Sequence, residues 1–254
     1  MNVTPITTRV VTPPKDDLFD VLASSITEVP EKSVIAVTSK IISIAEGRCV
    51  RKDAVEKDAL IQQEADQFLS RDEVPEGWVM HTLKNNVFIP SAGIDASNSG
   101  DYYVLWPEDS KRSAQEIYTW VQDQFGTKEF GILVTDSHTI PMRRGTMGIS
   151  LAHVGFRPLN DYRGTKDLFD NVMNISLTDV ADGLAASAVL VMGEGDECTP
   201  IVSITNIPFV EFGDFAYLNK DRFTTFEIPP EEDLYSPLFN GVPWKKGGGG
   251  FTFS

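Results

Sequence analysis

Residues 129–145 read EFGILVTDSHTIPMRRG, and this stretch sets the class of the fold. Phe130 to Val134 is an unbroken apolar run of strand length, the pattern of a strand covered on both faces. It delivers Asp136 and Ser137 to the strand's C-terminal edge, where open α/β sheets gather their ligands. Arg143, Arg144 and Gly145 follow closely. Carboxylate and hydroxyl oxygens suit a hard cation, and guanidinium groups suit a phosphate, so together they point to a phosphate and its metal. A strand ending in Asp is common, so the case needs support from elsewhere in the chain.

Two other acidic stretches supply it. Before the central strand, Pro90 to Asp109 reads PSAGIDASNSGDYYVLWPED, with Gly93, Asp95, Ser97 and Asn98 crowded into one short loop. Such a loop faces a ligand, or it is an Asx-turn between strands. After the central strand, the small-residue helix expected over Thr178–Leu190 runs into a glycine loop, Gly193-Glu194-Gly195-Asp196-Glu197, before the strand Ile201–Ile204. Carboxylates converging from separate loops repel one another unless cations lie between them, which suggests a two-metal phosphoryl-transfer site. The chain has no GxxxxGK[ST], GxSxG, HExxH or protein-kinase signature. Its three histidines, His81, His138 and His153, are scattered, and only His138 lies close enough to Asp136 to meet a ligand.

The remaining elements read as an alternation of strands and helices. Val3–Val11 is an edge strand stopped by Pro13-Pro14, and Leu18–Ile26 is an amphipathic helix behind Asp16-Asp17. Ser33–Ile44 is a core strand bending into a second element, and Asp53–Ser70 a solvated helix. Trp78–Leu83 and Val87–Ile89 form a hairpin around Lys84-Asn85-Asn86, and Tyr102–Trp106 is a strand. Ser110–Gln124 is a helix capped by Asp109 or Ser110, Met147–Val154 a strand and Pro158–Gly164 a loop. The class is α/β, mixed with α+β features. We find no repeat or linker, so residues 1–254 read as one unit, with two subdomains the alternative, and residues 245–254 as a flexible tail.

With 254 residues, 41% hydrophobic and 23% charged, the chain can bury a substantial core. Its net charge of −15 excludes non-specific binding to nucleic acid or anionic membrane, so a polyanionic ligand needs local cations. Cys49 and Cys198 form no framework or CxxC pair, and MNVTPITTRVVTPP has no apolar h-region. The expectation is a cytoplasmic protein without a membrane span.

Five segments in order, SKIISIAEGR (39–48), SAGIDASN (91–98), ILVTDS (132–137), PLNDYRGTKDLF (158–169) and VADGLAASAVLVMGEG (180–195), together resemble the coenzyme F-420-0:gamma-glutamyl ligase family. The resemblance covers roughly Val34 to Ile204. It implies an unusual mixed-sheet fold in an intertwined homodimer and a GTP-dependent ligase, with ATP the alternative. Two divalent ions, Mg²⁺ or Mn²⁺, are implied, with K⁺ a further candidate. In that chemistry an acceptor carboxylate is activated as an acyl phosphate and the amine of L-glutamate attacks it. Carried over by motif, Asp95 and Asp136 hold one ion and Ser137 with Glu194 the second. Ser39 and Lys40 fall on the strand that meets the nucleotide. Asn98 contacts the nucleotide, and Met192, Gly193, Gly195, Asp196, Glu197, Cys198 and Thr199 belong to its binding loop. Asp136, Arg143 and Arg144 are the catalytic candidates.

Ile44 stands where the family commonly has a lysine, and Ser137-His138-Thr139-Ile140 replaces Thr-x-Gly-Arg. These departures leave the acceptor open between the deazaflavin coenzyme, a folate and another glutamate-ended molecule. They also keep a degenerate nucleotide- or coenzyme-binding protein as the alternative.

Overall fold

Two apolar segments, Ser33–Thr38 and Phe130–Thr139, pair in parallel at the centre of the molecule, with Ser33 opposite Phe130 and Thr38 opposite Thr135. Their side chains alternate between two cores, as the period of two requires. Ile35, Val37, Ile132 and Val134 enter one, with Leu22, Ile42 and Ile117. Val34, Ala36 and Leu133 enter the other, with Ala181, Leu184 and Ala188. Each fully buried aliphatic side chain contributes about 1.5–3 kcal/mol, which makes this pair the anchor of the fold.

The computed structural model describes residues 1–213 and 227–250. In chain order the first elements are β1 (Asn2–Ile6), α1 (Leu18–Ser25), β2 (Ser33–Thr38), α2 (Ser39–Glu46), β3 (Cys49–Arg51), α3 (Lys57–Glu64), β4 (Gln67–Leu69), β5 (His81–Lys84), β6 (Val87–Pro90) and β7 (Tyr102–Val104). There follow α4 (Ser110–Phe125), β8 (Phe130–Thr139), β9 (Thr146–Val154), β10 (Leu159–Asp161), β11 (Leu177–Asp179), α5 (Val180–Met192), β12 (Ile201–Thr205), α6 (Ser236–Asn240) and β13 (Lys245–Lys246). The main sheet has the order β1-β12-β2-β8-β9, and β4, β5, β6 and β13 form a second. The class is therefore mixed α/β, as expected. Among the described residues, no helix is long and apolar enough to cross a membrane.

Local chemistry explains most boundaries. Asp17 caps α1 by accepting from the Phe19 and Asp20 amides, and Asp109 caps α4 by accepting from Lys111 and Arg112. The β5–β6 hairpin turns on Asn85 and Asn86, both at positive φ, a conformation asparagine tolerates. On β9, Gly148 lets α5 approach closely: a Cβ there would lie 2.2 Å from the Ala185 carbonyl oxygen.

The apolar run Ser33–Ile44 bends into a second element as expected: it is a strand to Thr38 and a helix after it, where Ile41, Ile42 and Ile44 all bury on one short turn of α2. Two expectations change. The helix expected over 53–70 is α3 alone, followed by β4, and β10 lies inside the expected 158–164 loop.

The residues from 245 onward, read as a tail, begin with β13 paired to β4. Gly247, Gly248, Gly249 and Gly250 then donate backbone N–H groups to the carbonyls of Asp66, Gln62, Ala65 and Gln63, each at 2.9 Å. These include carbonyls that the end of α3 leaves without helical partners. Side chains would block the approach, since a Cβ on Gly247 would sit 2.0 Å from the Ala65 oxygen. The rest of that stretch, 251–254, lies outside the described residues.

Candidate active site

Strand β8 outruns its parallel partner. Beyond Thr135 it pairs only with β9, after a register shift between Val134 and Thr135 that sets Asp136 opposite Ile149. Asp136 and Ser137 thus stand just past the end of β2, inside a continuing strand rather than a loop. They line a cavity of about 450 Å³.

Helix α2 begins at the same edge. Ser39 and Lys40, expected on a strand, are its first residues. Lys40 lines the cavity, whereas Ser39 is buried and does not. The Lys40 ammonium lies 2.6 Å from Asp95 Oδ2. The Ser97 amide and hydroxyl donate to Asp95 Oδ1 at 2.6 and 2.7 Å. The loop is therefore an Asx-turn and a cavity wall at once. Burial alone would raise the Asp95 carboxyl, but the Lys40 charge and the Lys40 and Ser97 hydrogen bonds outweigh it and hold the group below its ordinary value.

The third wall is the loop after α5. Gly193 ends the helix at φ 75°, and the Gly195 amide donates to Glu197 Oε2 at 2.9 Å. Thr199 Oγ1 donates to the Met192 carbonyl at 2.8 Å, and the Thr8 amide to the Cys198 carbonyl at 2.9 Å. Asn98 Nδ2 donates to the Gly195 carbonyl at 2.6 Å, tying the second wall to the third. Thr146 Oγ1, on β9, donates to Glu194 Oε1 at 3.2 Å.

The cavity thus gathers Lys40, Asp95, Asn98, Asp136, Ser137 and the whole run Met192–Thr199. Arg143 and Arg144 do not reach it: both are exposed at the β8–β9 turn, where the strands project past the sheet. Their sequence neighbourhood to Asp136 misleads because the chain extends away from the site before it turns. His138 also lies outside the lining.

Two contributions escape the sequence reading. Thr8, Arg9, Val10 and Val11 line the cavity after β1. Arg9 is held by Asp16 at 2.7 Å and Asp20 at 2.9 Å. No motif marks them, and only β1–β12 pairing brings them there. Trp106 lies 2% exposed, and its Nε1–H donates to Asp136 Oδ2 at 2.5 Å.

Burial pushes the Asp136 carboxyl up to about 7, against the Trp106 and Ser137 N–H groups that favour its charged form; Asp95 adds to the rise and Lys40 opposes it. Around the cavity stand five acids, Asp95, Asp136, Glu194, Asp196 and Glu197, against two bases, Arg9 and Lys40. Among the described residues, no three His, Cys, Asp or Glu side chains form a ready metal cage. Asp95 and Asp136 could offer one or two carboxylates to an ion such as Mg²⁺ or Mn²⁺, whose shell phosphate and water oxygens would complete.

Comparison with known proteins agrees with this architecture. The family model for F420-0:Gamma-glutamyl ligase matches residues 5–206. The coenzyme F420:L-glutamate ligase of Methanopyrus kandleri is 30% identical over 204 residues, covering 74% of this chain and 80% of that protein. That of Methanosarcina barkeri is 30% identical over 233 residues, covering 85% and 87%. The protein of the same name from Archaeoglobus fulgidus is 29% identical over 211 residues, covering 76% and 82%. With most of its length matched, including all three cavity walls, the chain belongs to the F420-0:gamma-glutamyl ligase family.

Proposed function

We propose that this chain uses GTP to add L-glutamate to the carboxylate of coenzyme F420-0, through an acyl phosphate. Membership of the family makes it an amide-bond-forming ligase. The names of the relatives favour the deazaflavin acceptor over a folate. The observation that carries the reading is the convergence of Asp95, Asp136, Ser137 and Glu194 on one cavity beside the Gly193–Glu197 loop.

In this reading Asp95 and Asp136 hold one divalent ion, and Ser137 with Glu194 the other. Such ions supply charge neutralisation for the triphosphate and the transferring phosphoryl group. Lys40, the base among the motif residues of the cavity, turns from Asp95 toward phosphate oxygens. Asn98 and the 192–199 loop seat the nucleotide, whose apolar surface meets Val10, Val11, Ile41 and Ile44. The β–γ bond of GTP breaks as the acceptor carboxylate takes the phosphoryl group. The glutamate nitrogen then forms the amide, losing a proton, as inorganic phosphate leaves.

A homodimer accompanies this proposal. Leu168, Phe169 and Ile175 are 98%, 84% and 87% exposed, on and beside the loop between β10 and β11. Such a concentration of exposed apolar side chains marks an interaction surface. A second copy is the partner that also gives Arg143 and Arg144 a cavity to serve.

The test is mass spectrometry after incubation with Mn²⁺ or Mg²⁺, GTP, L-glutamate and either F420-0 or a tetrahydrofolate. A glutamate-sized mass increase on F420-0, absent in Asp136→Asn, is the expected result. An increase on folate alone would replace the acceptor. Metal-dependent nucleotide binding with no product on either would favour a non-catalytic binding protein.

A further inference from the structure

The functional reading leaves Trp106 without a role, although its indole N–H is 2.5 Å from a carboxylate oxygen of Asp136. A tryptophan is a donor only, so this contact favours a carboxylate fixed in its charged form over a freely turning acid. The indole is itself held in place by its neighbours. Ile89 of β6 and Ile149 of β9 pack against it, and Ile149 is the residue opposite Asp136 in the sheet register. Gly93 makes room for it, because a Cβ there would fall 2.1 Å from Nε1.

Behind the ring lies a buried ionic group. Lys84 Nζ sits 5.7 Å from the indole centroid, and Arg48 Nε donates to the Trp106 carbonyl at 3.0 Å. Both cations converge on Glu64, which is fully buried. The second sheet and α3 therefore hold the tryptophan, and the tryptophan reaches across to the main sheet.

We infer that Trp106 is a positioning residue: it orients the Asp136 carboxylate so that the ion of the first metal site is held in one geometry. A carboxylate tied at one oxygen is restrained in its rotation. Groups that fix a metal ligand in this way typically govern about 10- to 100-fold in affinity. The inference rests on the reading of Asp136 as a metal ligand, and its test separates the two.

Mn²⁺ binding in the presence of a non-hydrolysable GTP analogue is measured for the intact protein and for Trp106→Phe and Asp136→Asn. In parallel, the indole N–H resonance of Trp106, assigned in the intact protein by its NOE contacts to Ile89 and Ile149, is followed by ¹H–¹⁵N NMR as Mg²⁺ is added with the same analogue. We expect Asp136→Asn to lose the site and Trp106→Phe to weaken it about tenfold. The Trp106 resonance should shift with the same midpoint as metal binding. If Asp136→Asn binds Mn²⁺ as the intact protein does, the metal reading of Asp136 falls and the inference falls with it. If Asp136→Asn is impaired while folded Trp106→Phe binds normally, the positioning role alone is overturned. Should Trp106→Phe fail to fold, the resonance in the intact protein decides: a signal unmoved at saturating Mg²⁺ refutes the role.

Discussion

Replacing Glu64 by glutamine should unfold the protein more readily by about 3–5 kcal/mol, the cost of leaving buried charge without its counterion. The structure makes this an extreme case. Arg48 Nη2 reaches both Glu64 oxygens, at 3.1 and 3.0 Å, and Lys84 contacts Oε2. The carboxylate is fully buried and the Lys84 side chain only 6% exposed. Glutamine keeps the shape and one acceptor oxygen but removes a carboxylate that both cations share, and its NH₂ offers a third donor. Hydrogen bonds to charged groups contribute about 1.5–3 kcal/mol each, and two are compromised. The deficit should also depend on pH. Burial already lowers the Lys84 ammonium, with Glu64 opposing, so the variant should depress it further. A base with a folded pKa below its unfolded one binds fewer protons folded, so stability rises with pH across that interval. Urea denaturation at several pH values between 7 and 9.5 should therefore show the gap to the parent protein closing, by at most about 1.4 kcal/mol per pH unit. A deficit under 1 kcal/mol, or one constant across that range with unchanged denaturant slope, would refute the argument.

Gly247→Ala should cost about 1–3 kcal/mol by thermal melting, because its Cβ, 2.0 Å from the Ala65 oxygen, must push the 247–250 ladder off α3; an unchanged melting temperature would show that ladder to be dispensable. Mn²⁺ affinity should fall as pH drops below about 7, by up to about tenfold per unit, since the proton on Asp136 competes with the cation. Affinity that is flat between pH 6 and 8 in titration calorimetry would contradict this. Lys40→Met should leave the first ion bound at least as tightly, because the ammonium no longer occupies Asp95, while weakening nucleotide binding. Parallel losses of both affinities would argue that Lys40 only braces the loop.

What was legible in the sequence follows from physics that is local. Unbroken apolar runs of strand length mark β2 and β8, and Asp109 and Asn85-Asn86 act through their own local backbone. The three acidic stretches could be named because small and oxygen-bearing residues cluster in each, although Asp136 and Ser137 lie within β8 and not in a loop. What was not legible depends on register and reach. Whether Ile41, Ile42 and Ile44 continue a strand or wind into α2 is undecided by a run apolar at nearly every position, since both periods fit it. Thr8–Val11 enter the cavity only because β1 pairs with β12, a contact spanning almost two hundred residues. Trp106 reads as an ordinary core aromatic until the second sheet sets its N–H against Asp136. The arginines fail for the opposite reason: close in sequence to Asp136, they are carried off by a strand that continues where a loop was expected.

For the proposed nucleotide, an acidic cavity must first offset its own charge. Five carboxylates against two bases would repel a triphosphate; the Lys40 ammonium neutralises Asp95, while the uncharged Trp106 N–H gives Asp136 a hydrogen bond only. In the proposed function, a divalent ion entering between Asp95 and Asp136 would compete with Lys40 for the Asp95 carboxylate. The displaced ammonium would stand on the first turn of α2, beside the cavity, with phosphate as its new partner. Metal and nucleotide would then favour one another through a single side chain that cannot serve both carboxylate and phosphate fully. By linkage the coupling is reciprocal: whatever the ion adds to nucleotide affinity, the nucleotide adds to that of the ion.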